Sequence, residues 1–170
     1  MPENRRTDDV PMDEEADQRR YVEISDRLVA AVAAAVPGWI ERLVAERMRS
    51  WSGHASAEVV VAAVLAGERA RDEAVSRLRA LVDADIDEQR ANPLAVLRDV
   101  TSHAHAVLAD AGMPSMPRDQ FARQSFPDDA YGLVPATWAD IDPDLHEIGI
   151  TWGAAKAFLF KARRRAEGKT

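Results

Sequence analysis

One set of titratable side chains able to act as a base or hold a metal lies between Asp99 and Asp110, where His103 and His105 fall two residues apart. On a helix each residue advances about 100°, so these two imidazoles point about 200° apart and cannot grip one ion from an intact helix. Asp99 and His103 stand at i and i+4, and Asp110 returns to nearly the same face. A carboxylate at that spacing can orient an imidazole as a general base, or the face can supply metal ligands. No third ligand is identifiable, and the Glu-x-x-His repeat of di-iron bundles is absent. A helix-surface pair bordering the core is the simpler account, so Asp99 and His103 are catalytic candidates only if a pocket covers them.

A second acidic group, Asp140, Asp142 and Asp144, has the spacing that opens a calcium loop. Counting from Asp140 puts the required glycine on Leu145 and the bidentate glutamate on Thr151, while Pro143 restricts the turn. Helix capping explains the run better. Thr137 and Asp140 have capping-box spacing, and Asp142 followed by Pro143 is an N-cap with proline at the first helical position. His146 then shares a face with Asp142, the spacing of a weak surface pair.

The first group precedes, and the second lies within, a stretch, Met113 to Trp152, that shows no sustained helical or strand period. It carries Phe121, Phe126, Tyr131, Trp138 and Trp152 among Pro114, Pro117, Pro127, Pro135 and Pro143. A long segment without regular structure in a compact domain either binds something or is pinned by its own side chains. Two accounts stay open: a docking surface built from Phe126, Tyr131, Trp138, Asp140 and His146, or an aromatic staple against a bundle poor in bulky residues.

The C-terminal run holds the only basic patch, with Lys156, Lys161, Arg163, Arg164 and Arg165. Cations at a helix C-terminus meet the negative end of the macrodipole, which accounts for them without a ligand. Nucleic-acid contact through these residues is the sharper alternative, unsupported by any aromatic stacking motif. A net charge of −7 disfavours broad attraction to nucleic acid or anionic lipid. With no cysteine there is no disulfide, no thiolate nucleophile and no Cys-ligated zinc. Phosphate-loop, G-x-S-x-G and H-E-x-x-H signatures are absent. No cofactor is expected.

The elements that must position these groups read as helices. A length of 170 residues suits one domain, and 46% apolar composition with only 6% aromatics points to helices packed closely on alanine. Residues 1–16 mix charges and prolines and predict a disordered tail, and residues 17–170 one helical domain with 113–150 as its irregular capping segment. Tyr21, Ile24, Leu28, Val32, Val36, Trp39 and Leu43, with Ile40, Val44 and Met48 beside them, form an amphipathic stripe interrupted by Pro37, which predicts two helical segments in phase.

Ser56 to about Arg90 predicts the longest helix, with Val60, Val61, Val64 and Leu65 inward at its start and Val75, Leu78, Leu81, Val82 and Ile86 inward further on. A waist at Gly67, Ala70 and Ala74 marks the closest helix crossing. Asn92, Pro93 and Gly112 delimit a helix from Pro93 to Ala111, with Leu94, Leu97, Val100, Ala104, Val107 and Ala111 on its apolar side. A last helix from Thr151 to about Arg165 turns Trp152, Ala155, Phe158 and Leu159 inward.

The expected architecture is all-α: a bundle of four to five helices closed by a long Pro- and aromatic-rich irregular segment. The N-terminus lacks the apolar core of a signal peptide, and the near-apolar run from Leu28 to Ile40 is too short to span a bilayer, so a cytoplasmic location without membrane contact is expected. The functional expectation is a non-enzymatic adaptor or assembly protein that engages a protein partner, or further copies of itself, through the 113–152 segment. The alternative is a small-molecule- or metal-dependent enzyme with Asp99 and His103 under that segment, and weak nucleic-acid binding ranks third.

Overall fold

The computed structural model describes residues 10–84 and 92–168. Those residues form five α-helices, α1 (Val10–Ser52), α2 (Ala57–Asp83), α3 (Pro93–Asp110), α4 (Gln120–Ser125) and α5 (Pro143–Ala166), plus a 3-10 turn at Trp138–Asp140, and no strand. The protein is all-α. Helix α1 is the hub: it packs against α2, α3 and α5, and α2 also packs against α3. Contacts at both ends show α2 and α5 running antiparallel to α1. Tyr21 reaches the Val82 carbonyl, Arg42 the Ile141 carbonyl, and Trp152 Nε1 donates to Ser25 Oγ at 3.0 Å.

The apolar stripe of α1 is buried from Tyr21 to Met48 as its spacing predicts, with Leu43 half-buried. Two expectations about this helix fail. It begins at Val10 rather than Asp17, so residues 10–16, expected in the disordered tail, belong to it; residues 1–9 lie outside the described residues. It also runs unbroken through Pro37. Proline forfeits the hydrogen bond to the Ala33 carbonyl and costs about 3 kcal/mol in a helix interior. Val32, Val36, Trp39 and Ile40 are all buried around it, and burying side chains of that size is worth about 1.5–3 kcal/mol each, so packing on both sides of the proline outweighs the local defect.

As a continuous helix, α1 contains a window of mean hydropathy 1.6 and is long and apolar enough to cross a membrane. The run from Leu28 to Ile40 thus lies inside a longer helix that meets this measure by length and composition alone. In the fold, its apolar face is occupied by the other helices.

The waist on α2 is where the chain predicts it. A Cβ on Gly67 would lie 2.8 Å from the Pro37 carbonyl oxygen and 3.0 Å from its Cα, and Ala63, Ala66, Ala70 and Ala74 are buried beside it. This close approach overturns the expected face at the start of the helix. The alanine side turns to α1, which forces Val60, Val61, Val64 and Leu65 outward; they remain 50%, 60%, 40% and 47% exposed. Leu78 is buried as expected, Val75, Leu81 and Val82 pack at the core edge, the helix ends at Asp83, and Ile86 and the expected end at Arg90 lie outside the described residues.

Helix α3 has the predicted limits. The Asn92 side chain accepts from the Leu94 N–H, Pro93 opens the first turn, and Gly112 takes a φ of 81° that a side chain would resist. Its innermost face is rotated slightly from prediction, burying Val96 and Leu108 while Leu94, Val107 and Ala111 sit at the edge.

The 113–142 stretch is less irregular than its sequence implies, because it contains α4, capped by Asp119, and the 3-10 turn. The capping box of Thr137 and Asp140 forms, and Asp142 caps the next helix through the Asp144 N–H at 2.9 Å. That helix, α5, begins at Pro143 rather than Thr151, merging the expected short turn with the last helix. It keeps Gly149 in its interior because the Trp138 indole lies against that position, where a Cβ would come within 2.5 Å of Nε1. Phe158, expected inside, is 56% exposed.

Candidate functional site

Helices α2 and α3 place four charged side chains in a row. Glu73 and Arg77, one turn apart on α2, face His103 and Asp99, one turn apart on α3. His103 Nε2 meets Glu73 Oε2 at 2.5 Å, Arg77 Nη2 donates to Asp99 Oδ2 at 2.8 Å, and Arg77 reaches Glu73 at 3.5 Å. The expected pairing of Asp99 with His103 is thus replaced by two cross-helix pairs, because the facing helix offers each a shorter path than its own helix does. Glu73, beside Ala74 of the small-residue waist, is a partner that the spacing of α3 alone does not reveal; only knowledge of which helix packs against α3 finds it. The Asp99 hydrogen bond holds the Arg77 guanidinium protonated beyond its already high value. All four side chains are a quarter to more than a half exposed, so solvent screens them and the row serves mainly to fix register between α2 and α3.

A groove of about 640 Å³ runs between α3 and residues 125–134. Three of its polar side chains, Arg98, Thr101 and Asp129, are committed to the backbone. The Asp129 carboxylate accepts from the Leu133 and Val134 N–H groups at 2.7 and 3.0 Å, and Arg98 donates to the Pro135 and Ala136 carbonyls while lying over the Phe126 ring. His105 packs on the Tyr131 ring with centroids 4.7 Å apart. Among the described residues, no three His, Asp or Glu side chains converge as a metal site.

The five proposed docking residues are dispersed. Tyr131 is buried, its hydroxyl donating to the Met113 carbonyl at 2.8 Å, while Phe126 and Trp138 are half-buried. Asp140 is exposed but accepts from the Ala136 and Thr137 N–H groups, and His146 is exposed as well. Arg47 holds the stretch from α1, with Nε donating to the Tyr131 carbonyl at 2.8 Å and Nη2 to the Gly132 carbonyl at 2.9 Å. Among the segment's aromatics, Tyr131 and Trp152 are thus buried and Phe126 and Trp138 half-buried, while Phe121 is 78% exposed.

No protein-family model matches this chain. Nor does any curated protein or solved structure match it.

The basic C-terminal residues are also partly engaged inside the fold. Arg163 donates to Gln18 at 2.8 Å and approaches Glu14 at 4.0 Å, Arg164 lies over Phe160, and Lys156 lies over Trp152. Lys161 and Arg165 face solvent. What the sequence did not lead us to is the outward face of α2, where Val60, Val61, Val64 and Leu65 cover about two turns side by side. Its signal was present: the run from Val59 to Gly67 is apolar all round the helix, so a close-packed alanine side necessarily leaves the branched side out.

Proposed function

We propose that this protein is a non-enzymatic interaction protein whose docking surface is the N-terminal half of α2, with the 113–142 segment closing the bundle rather than binding. The observation that carries this reading is the contiguous exposure of Val60, Val61, Val64 and Leu65, 40–60% open to solvent on one helix face. Single exposed aliphatics are ordinary, whereas a contiguous apolar face rimmed by charge marks a surface that another molecule covers. The rim is formed by Glu58, Glu68 and Arg69 on α2 and Glu41 on α1. Its excess of carboxylates fits a polypeptide better than an anionic lipid surface. On this reading the occupant is an apolar helix face on a protein.

The test is a photo-crosslinking side chain placed at Val61 in the full-length protein inside cells. A protein adduct that disappears when Leu65 is changed to Glu supports the reading. Absence of any adduct from a chain with unchanged circular dichroism overturns it.

A further inference from the structure

Resting on the reading that the α2 face is a docking surface, we infer that it pairs two copies of this chain in an antiparallel, two-fold arrangement held in register by Glu58 and Arg69. These two residues are eleven positions apart, three helical turns or about 16 Å, and so lie on the same flank of α2. Both line the shallow depression between α2 and α3, together with Leu65. Neither has an ion-pair partner among the described residues, although other charged side chains of α2 do.

Their midpoint falls between Ala63 and Val64, inside the exposed patch. An antiparallel copy centred on that point therefore brings Val61, Val64 and Leu65 of both chains together. In an antiparallel helix pair a given flank meets the same flank of its partner, so Glu58 faces Arg69 of the second copy and Arg69 faces Glu58 of the second copy.

The remaining charges agree with this direction. Glu68 and Asp72 are exposed on the outward side just beyond the patch, and the antiparallel arrangement carries them to the first turn of the other α2. Unpaired N–H groups there favour carboxylates. A parallel pairing would instead set this flank against the opposite flank of the partner, where Val60 and Val64 lie, so Glu58 would not meet Arg69 of the second copy. The contact is only a few turns long, so the dimer is of micromolar rather than nanomolar affinity.

Sedimentation equilibrium of the purified full chain over a micromolar concentration series tests the pairing. The expected result is a reversible shift from 18.7 kDa to twice that mass. Val61→Glu, an exposed position at which the monomer fold is not at stake, abolishes the shift. Glu58→Arg and Arg69→Glu each weaken association roughly tenfold, and the double variant regains the original affinity because the charges are exchanged on both copies.

A wild-type chain that stays monomeric throughout the series overturns the pairing, as does a double variant no tighter than the singles. The Val61 crosslink separates the two levels of the argument. An adduct with this chain supports both, an adduct only with a different protein overturns self-pairing and leaves the docking function standing, and no adduct removes both.

Discussion

At Gly67 two opposing effects can be weighed on a single side chain. Alanine would gain about 1 kcal/mol of helix propensity over glycine. Its Cβ, however, would stand 2.8 Å from a backbone oxygen of Pro37, which cannot rotate away, so α1 and α2 would have to separate along a seam of alanines. Overpacking of that kind costs about 1–3 kcal/mol, and the steric effect prevails. Gly67→Ala should lower stability by about 1–2 kcal/mol in a urea titration, and a stabilised variant would refute this account of the crossing.

Tyr21 offers a pH-dependent check. Its ring is buried against Trp152 with centroids 5.9 Å apart, and its hydroxyl donates to the Val82 carbonyl at 3.2 Å. Burial, opposed in part by the Ser25 hydrogen bond, raises its pKa above the ordinary phenolic value. The folded chain thus holds this proton more tightly than the unfolded chain. The resulting stability is complete below about pH 10, the unfolded value, and is lost as pH rises through the folded value. Tyr21→Phe should cost about 0.5–1.5 kcal/mol at neutral pH from the lost hydrogen bond and should flatten this part of the alkaline decline.

Among the elements, the stretch between α3 and α5 depends on arginines supplied by the helices it crosses. Arg42, Arg47 and Arg98 all donate to its carbonyls, and those groups would otherwise require water. Arg47→Met keeps the aliphatic stem and removes both donors to Tyr131 and Gly132. Amide exchange at Leu133 and Val134 should accelerate while protection in α1, α2 and α3 persists, with a global cost of about 1–3 kcal/mol. Equal loss of protection throughout would show that the stretch is part of the core's cooperative unit and not an appended strap. Proline spacing and aromatic content reveal that the stretch is organised, but not that arginines from elsewhere in the chain hold its backbone carbonyls.

For the whole molecule, α1 supplies the common surface and α2 turns its smaller side inward, so the largest aliphatic patch is left on the outside. If two copies share that patch, folding and association are linked, and the melting temperature should rise with protein concentration in the wild type but not in Val61→Glu. A melting temperature independent of concentration in both would argue that the patch stays open to solvent.

The sequence by itself determined several of the caps: Ser56, Asn92, Asp142, the Thr137 and Asp140 box, and the positive-φ Gly112 all act within a few residues of chain and all form. It also determined the α1 stripe and the Gly67 waist, because helical periodicity and side-chain volume are local properties. Only the tertiary structure decided that α1 continues through Pro37, that His103 turns to Glu73 and not to Asp99, and that Val60, Val61, Val64 and Leu65 face outward. Each of those outcomes depends on which helix lies alongside and how closely, and distances between elements far apart in sequence are not encoded in the spacing of either one.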